Sequence, residues 1–310
     1  MIGRLLLPVL VLAGAVRSLA AATYVVNSEG TGDFATIQAA VTAAMNGDVL
    51  ELADGEFKGE GNRDIDFLGK SISVRSQSGT PETCIIDCEG TRLDPHRGFF
   101  FQSGEGSASR LEGVSIVSGY AEEGGGLYFG DGTSPTVFRC LVIGNEAERG
   151  GGIYRRFAWP NLISTTISGN VAAFGGGIYS RGAGYGPVLD LCIVSGNCAD
   201  AGADVFLHDG SATFDCCCIN FSNIEGTGIW FGGQFIQEDP LFCDAIPCEE
   251  GPSNEGVYTL QVASPCLPES SPCGQLVGAL GEGCEVPTLT VNSTWGRIKT
   301  RFLFGSGTSR

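Results

Sequence analysis

Apolar and polar residues follow two rhythms along this chain. Near the start, Ile37, Ala40, Val41 and Ala44 recur at helical spacing, on one side of a short amphipathic helix that the run from Gly32 to Val41 opens. Asn46-Gly47-Asp48 stops that helix, and the pattern turns strand-like. Val49-Leu50-Glu51-Leu52, Ser71-Ile72-Ser73-Val74 and Cys84-Ile85-Ile86-Asp87 each predict a short strand. Later stretches such as Ser164-Thr165-Thr166-Ile167-Ser168 alternate in the same way and are punctuated by glycine.

The later stretches repeat. Gly124-Gly125-Gly126-Leu127-Tyr128 returns as Gly150-Gly151-Gly152-Ile153-Tyr154 and as Gly175-Gly176-Gly177-Ile178-Tyr179, at steps of 26 and 25 residues. A degraded copy follows at Ala201-Gly202-Ala203-Asp204-Val205-Phe206. Gly144-Asn145, Gly169-Asn170, Gly196-Asn197 and Ser222-Asn223 move in phase with it. A unit of this size cannot bury its apolar side alone, so neighbouring units must stack. Three consecutive glycines per unit exclude a helical repeat. The prediction is an all-β fold, a right-handed parallel β-helix solenoid with a short N-terminal capping helix that protects the first sheet edge.

Phasing on the asparagines predicts two inward columns. Ser115, Cys140, Thr165, Cys192 and Cys218 form a small one, and Val117, Val142, Ile167, Val194 and Asn220 a mostly β-branched one. Asn145, Asn170, Asn197 and Asn223 predict a turn ladder, because asparagine tolerates left-handed backbone and its amide can bond the next rung.

Composition adds the compartment. An apolar run from Leu5 to Val16 follows Arg4, and small residues follow Ser18, so residues 1–22 read as a signal peptide. Its removal would take the net charge from −17 to −19. So negative a chain is not expected to bind nucleic acid, and no transmembrane segment is expected in the mature chain. The 13 cysteines of an exported chain imply disulfides. The close pairs Cys84/Cys88, Cys243/Cys248 and Cys266/Cys273 are the candidate loop staples, and Cys140, Cys192 and Cys218 are expected mostly as buried thiols. Zinc is disfavoured, because His96 and His208 are the only histidines and Cys216-Cys217-Cys218 lacks C-x-x-C spacing, so no metal and no cofactor is expected. Residues 23–284 form the solenoid domain: an opening module over 23–90, regular coils over about 110–235 and a cysteine-rich close over 236–284. The basic stretch Trp295 to Phe302 sets residues 285–310 apart as an export or surface-retention element or a disordered tail.

The run from Gly32 to Ala44, with Gly47-Asp48 and Gly69-Lys70-Ser71-Ile72, resembles the opening of pectin lyase-like right-handed β-helix proteins. The Gly-Gly-Gly-Ile-Tyr repeat is similar to those of chlamydial polymorphic outer membrane proteins. Asp239-Pro240-Leu241-Phe242, Ser264-Pro265-Cys266 and Gly278-Ala279-Leu280-Gly281 resemble the close of bacterial secreted β-helix proteins. The resemblance covers about residues 24–284 and implies the fold, which hosts both enzymes and adhesins.

The chemistry of the enzymes is not legible. No Asp-Phe-x-Phe follows the opening segment, no Asn-Thr-Asp or Asp-Asp cluster occurs, and Asp190, Asp204 and Asp215 stand at different phases of the repeat. The expected contact surface is instead an outer loop with Arg155, Arg156 and Trp159, joined one coil later by Arg181 and Tyr185. Arginines beside aromatics suit sugar stacking and acid-group recognition. The reading is a non-catalytic secreted or cell-surface protein whose partner is a polysaccharide or a host or cell-surface glycan. The alternative is a polysaccharide lyase or hydrolase with an unrecognised site.

Overall fold

The computed structural model describes residues 21–253 and 255–284, so the candidate signal peptide up to residue 20 and the basic tail lie outside the described residues. Among these residues the chain winds as a parallel solenoid. Nine strands stack in sheet 1, from Thr23–Val26 to Ile229–Gly232. Eight stack in sheet 2, from Gly55–Phe57 to Phe235–Ile236, and six in sheet 3, from Phe99–Phe101 to Ile224–Gly226. Every pairing within these three sheets is parallel, for example Thr136↔Asn161 and Leu141↔Thr166. The protein is a right-handed parallel β-helix.

The opening module folds as its pattern dictates. Thr36 caps the helix Ile37–Ala43 by accepting the Ala39 N–H, and Ile37, Ala40 and Val41 are buried against the first coil. Asp48, nearly fully buried, accepts the N–H groups of Ala22 and Met45, which holds its carboxyl below the usual range. The Lys70 ammonium donates to the carbonyls of Val41, Thr42 and Ala44 at the helix C-terminus. The expected strand at Ser71 begins two residues later, as Ser73–Ser76.

Each regular coil adds a fourth strand, such as Glu146–Arg149, between sheets 2 and 3. The glycine triplet turns this arm back onto sheet 3. Gly150 has φ +67°, and a Cβ on Gly151 would sit 2.4 Å from the Val171 carbonyl oxygen and 2.6 Å from that of Gly176. Adjacent rungs therefore touch backbone to backbone there, which only glycine permits.

The inward columns differ from expectation at both ends. Register places Val114, Cys140, Thr165, Cys192 and Cys217 in one column and Ile116, Val142, Ile167, Val194 and Ile219 in the other. Ser115, Val117 and Cys218 face outward, and Asn220 is exposed. The first coil carries Gly119 at the ladder position and the last coil has lost the marker, so a fixed offset slips by one residue. In the small column Cys140, Thr165, Cys192 and Cys217 donate to carbonyl oxygens at the corner between sheets 1 and 2, where the preceding residue takes left-handed backbone.

The closing segment does not continue the solenoid. It folds back over the outer face of sheet 2, so that Tyr258, Ala279 and Leu280 cover Val117, Leu141 and Ile143, while Leu260, Leu267 and Val277 cover Ile193 and Cys218. Two disulfides fasten it to the coils, Cys198–Cys248 and Cys216–Cys273, and Cys243–Cys284 ties it to itself, with Cα separations of 5.6, 6.2 and 6.0 Å. The expected local staples are thus corrected. Cys84, Cys88 and Cys266 are buried thiols, while Cys243, Cys248 and Cys273 find distant partners. Short spacing suggested hairpin staples, but folding back brings remote cysteines closer.

Candidate functional site

The loop chosen from sequence lies at the corner between sheets 3 and 1. Its first residue is not available to a ligand. Arg155 aligns with Phe129 and Ser180 on the inner face of sheet 3 and is fully buried. Nε donates to the Ala158 carbonyl at 2.6 Å, Nη1 donates to Ser180 Oγ and to the carbonyls of Arg181 and Gly182, and Nη2 donates to that of Tyr185. Burial pulls its pKa down to about 10. Arg155 ties the 182–185 loop to the coil, a correction to its expected binding role.

The next residue along the strand points the other way. Arg156, Arg181 and His208 are in register on adjacent outer rungs of sheet 3, roughly 4.8 Å apart by strand spacing. Arg156 Nε donates to Asp131 Oδ1 at 2.9 Å, and His208 Nδ1 lies 2.9 Å from the Tyr179 hydroxyl. Beside this column Trp159 is 45% and Tyr185 83% exposed. Phe157, which the sequence reading did not single out, is also exposed and lies against Gly182, where a Cβ would come within 2.6 Å of its ring. Tyr185 lines a depression of about 400 Å³ together with Asp209, Ile229 and Phe231. Of the five expected contact residues, Arg156 and Arg181 are in register, Trp159 and Tyr185 are exposed on the loops that follow their strands, and Arg155 is buried.

Behind that column runs an aromatic stack. Phe100, Tyr128, Tyr154, Tyr179 and Phe206 follow one another with centroids 4.7, 5.3, 5.4 and 5.5 Å apart. The arm strands flank it through Phe174, edge-on to Phe206, and through Arg149 paired with Glu123. Tyr154 is fully buried, and burial pushes its hydroxyl pKa up. These tyrosines are packing elements of the arm.

The asparagine ladder is structural in three of its four members. Asn145, Asn170 and Asn197 are buried. Asn170 Oδ1 accepts from the backbone N–H and side-chain amide of Asn145, and Asn197 Oδ1 accepts likewise from Asn170. The left-handed residues are the preceding glycines, Gly144, Gly169 and Gly196, so asparagine supplies only its amide. Asn223 is not the fourth rung. Asp204, at the place of the third glycine, takes that position, accepting from Asn197 Nδ2 (2.9 Å) and Asn223 Nδ2 (2.8 Å). Burial pushes its carboxyl up to about 6.

The aspartates read as scattered are partly assembled. Asp190 and Asp215 are in register on neighbouring strands of sheet 1, facing outward. Partial burial, then the charge of Asp215, raises the Asp190 pKa. The preceding outward positions in that column are Phe138 and Ile163, and no lysine or arginine occurs between Arg181 and Arg297. The step from Asp190 to Asp215 is one residue shorter than the asparagine step from 197 to 223, which hid this register from a phase count. Among the described residues, one cluster of three ligand-type side chains, Cys198, Cys248 and Glu249, could approach a metal. Two of its sulfurs share a disulfide and offer no thiolate.

No family model and no curated protein matches the chain. Among solved structures it is similar to the crystal structure of a pectin methylesterase from Aspergillus niger. The TM-score is 0.36 and the identity 13%, over 72% of this chain and 87% of that one.

Proposed function

We propose that this is a non-catalytic β-helix protein that works outside the cell and contacts acidic carbohydrate through the corner between sheets 3 and 1. The observation that carries the reading is the in-register column Arg156, Arg181 and His208 beside exposed Phe157, Trp159 and Tyr185. In a chain of net charge −17, this brings two arginines together near stacking partners, with Asp131 paired to Arg156 and Asp209 beside His208. Three disulfides fit an oxidising compartment, and the candidate signal peptide gives the route there. The repeat's resemblance to chlamydial surface-protein repeats goes with an exposed location, and residues 285–310 would serve as the retention element.

Binding of the protein to acidic and neutral polysaccharides tests the proposal, with reducing ends and unsaturated products recorded together. Retention on acidic glycans, lost in the Arg156→Ala/Arg181→Ala variant and weakened in Trp159→Ala, is the expected result. No binding to any glycan sinks it. A second reading, a lyase or hydrolase, rests on the Asp190/Asp215 pair on adjacent rungs. Product formation abolished by Asp190→Asn would establish that reading instead.

A further inference from the structure

Three consecutive cysteines stand where sheet 1 turns into sheet 2 on the last full coil. Cys216 holds the left-handed corner (φ +52°) and bonds Cys273 of the closing segment. Cys217 points into the core, stacked on Cys192. Its thiol donates to the carbonyl oxygens of Asp215 and Leu189 at 3.2 and 3.5 Å, and Cys192 donates likewise to Asp190 and Leu162. Cys218 points outward, beneath the closing segment, and is 1% exposed. Opposite it, in the same apolar cluster, lies the fully buried Cys266. The Cys218 thiol donates to the Glu238 carbonyl oxygen at 3.4 Å, and the nearness of the Cys266 sulfur, with burial, pushes its pKa up.

These two sulfur pairs differ in geometry. Cys192 and Cys217 belong to one column of parallel strands, so their Cβ atoms run side by side at about 4.8 Å, longer than the usual Cβ separation of a disulfide. Cys218 and Cys266 come from two packed layers of one apolar cluster, where no strand spacing holds them apart. The closing segment is already fixed around them. Gly278 N donates to the Leu191 carbonyl at 2.7 Å, Ala279 N to Thr166 Oγ1 at 3.0 Å, and the Cys216–Cys273 bond lies two residues from Cys218 and seven from Cys266 in sequence.

We propose that Cys218 and Cys266 form a fourth disulfide that completes the fastening of the closing segment onto sheet 2. Two S–H bonds break and one S–S bond forms. Two electrons and two protons pass to an external low-molecular-weight disulfide such as oxidised glutathione, which leaves as two thiols. The exchange takes place before the segment docks, while both sulfurs are accessible. The alternation along Cys216-Cys217-Cys218 then has one explanation: the outer two are covalent ties and the middle one is a core residue.

Counting alkylatable thiols in the denatured, unreduced full chain tests this. Three disulfides leave the seven thiols of Cys84, Cys88, Cys140, Cys192, Cys217, Cys218 and Cys266, and a fourth leaves five. The expected result is five for the native chain and six for Cys266→Ser, because the substitution frees Cys218. Seven falling to six overturns the proposal, and so does five falling to four, which would place the bond elsewhere. The unmodified chain gives a second reading that does not depend on a variant folding. Cleavage after Glu255 and Glu269 separates Cys266 from Cys273. Recovery of the 256–269 peptide linked to the peptide carrying Cys216–Cys218 supports the bond, and its recovery alone as an alkylated thiol refutes it.

Discussion

Arg155 and Arg156 are neighbours in sequence with opposite fates, because successive strand residues face opposite sides of a sheet. The inner guanidinium satisfies several backbone carbonyls and has no carboxylate partner among its hydrogen bonds. Arg155→Ala leaves those carbonyls buried without a donor. Unfolding by urea should show a loss of roughly 3–5 kcal/mol, and protease cutting within 182–186 should rise. Arg156→Ala and Arg181→Ala should each change stability by less than about 0.5 kcal/mol, since both head groups are solvated. An equal stability loss at 155 and 156 would contradict the inward placement. The alternation Ile153, Tyr154, Arg155, Arg156 already carried this information. It was obscured because a charged residue on an inner face runs against the usual pattern.

At the scale of elements, the ladder sets the spacing of the coils. Asn170 donates to the carbonyls of Val142 and Ser168 while accepting from Asn145. Asn170→Ala should cost roughly 3–5 kcal/mol, whereas Asn223→Ala, at the partly exposed end, should cost about 1 kcal/mol. Asp204 ends the ladder with a carboxyl whose folded pKa is about 6 against the ordinary 3.8. Because the folded pKa is raised, the folded state holds the proton over the interval between these values. Stability is then fully present below about pH 4 and declines as pH rises to about 6, on the order of 3 kcal/mol in all. Asp204→Asn should flatten that limb and raise the thermal midpoint at pH 7. A midpoint at pH 7 unchanged by the substitution would remove the carboxyl from this role. Other titrations add to the whole profile, so the comparison between the two chains is the measurement. The repeat made Asn145, Asn170 and Asn197 legible. It could not reveal Asp204, which enters from a different part of its coil to fill the rung that no following asparagine occupies.

For the whole molecule, the decisive feature is the closing segment. It covers an apolar outer face of sheet 2 and, among the described residues, does not extend over the outer face of sheet 1 or the corner beside sheet 3. The three disulfides span 50, 57 and 41 residues, each worth about 4 kcal/mol by loop-closure entropy. Mild reduction should release the segment while the coils persist. The expected signature is new binding of an apolar dye, from exposure of Leu141, Ile143 and Ile193, with little change in far-ultraviolet circular dichroism. Simultaneous loss of both signals would show that the segment and solenoid unfold as one unit. Charge is also divided at this scale: the last lysine or arginine before the tail is Arg181, so the basic corner borders an acidic C-terminal third.

The sequence by itself determined the coil. Its period, its glycine turns, its capping helix and its small or branched inner residues follow from local backbone geometry and from what a narrow interior admits, and both repeat every turn. Only the tertiary structure decided which cysteines bond, which arginine is buried, and that Asp190 meets Asp215. Those outcomes depend on register between coils of unequal length and on how a non-repeating segment folds back. A single inserted residue reverses the face of a strand, and no local pattern records where a distant segment docks.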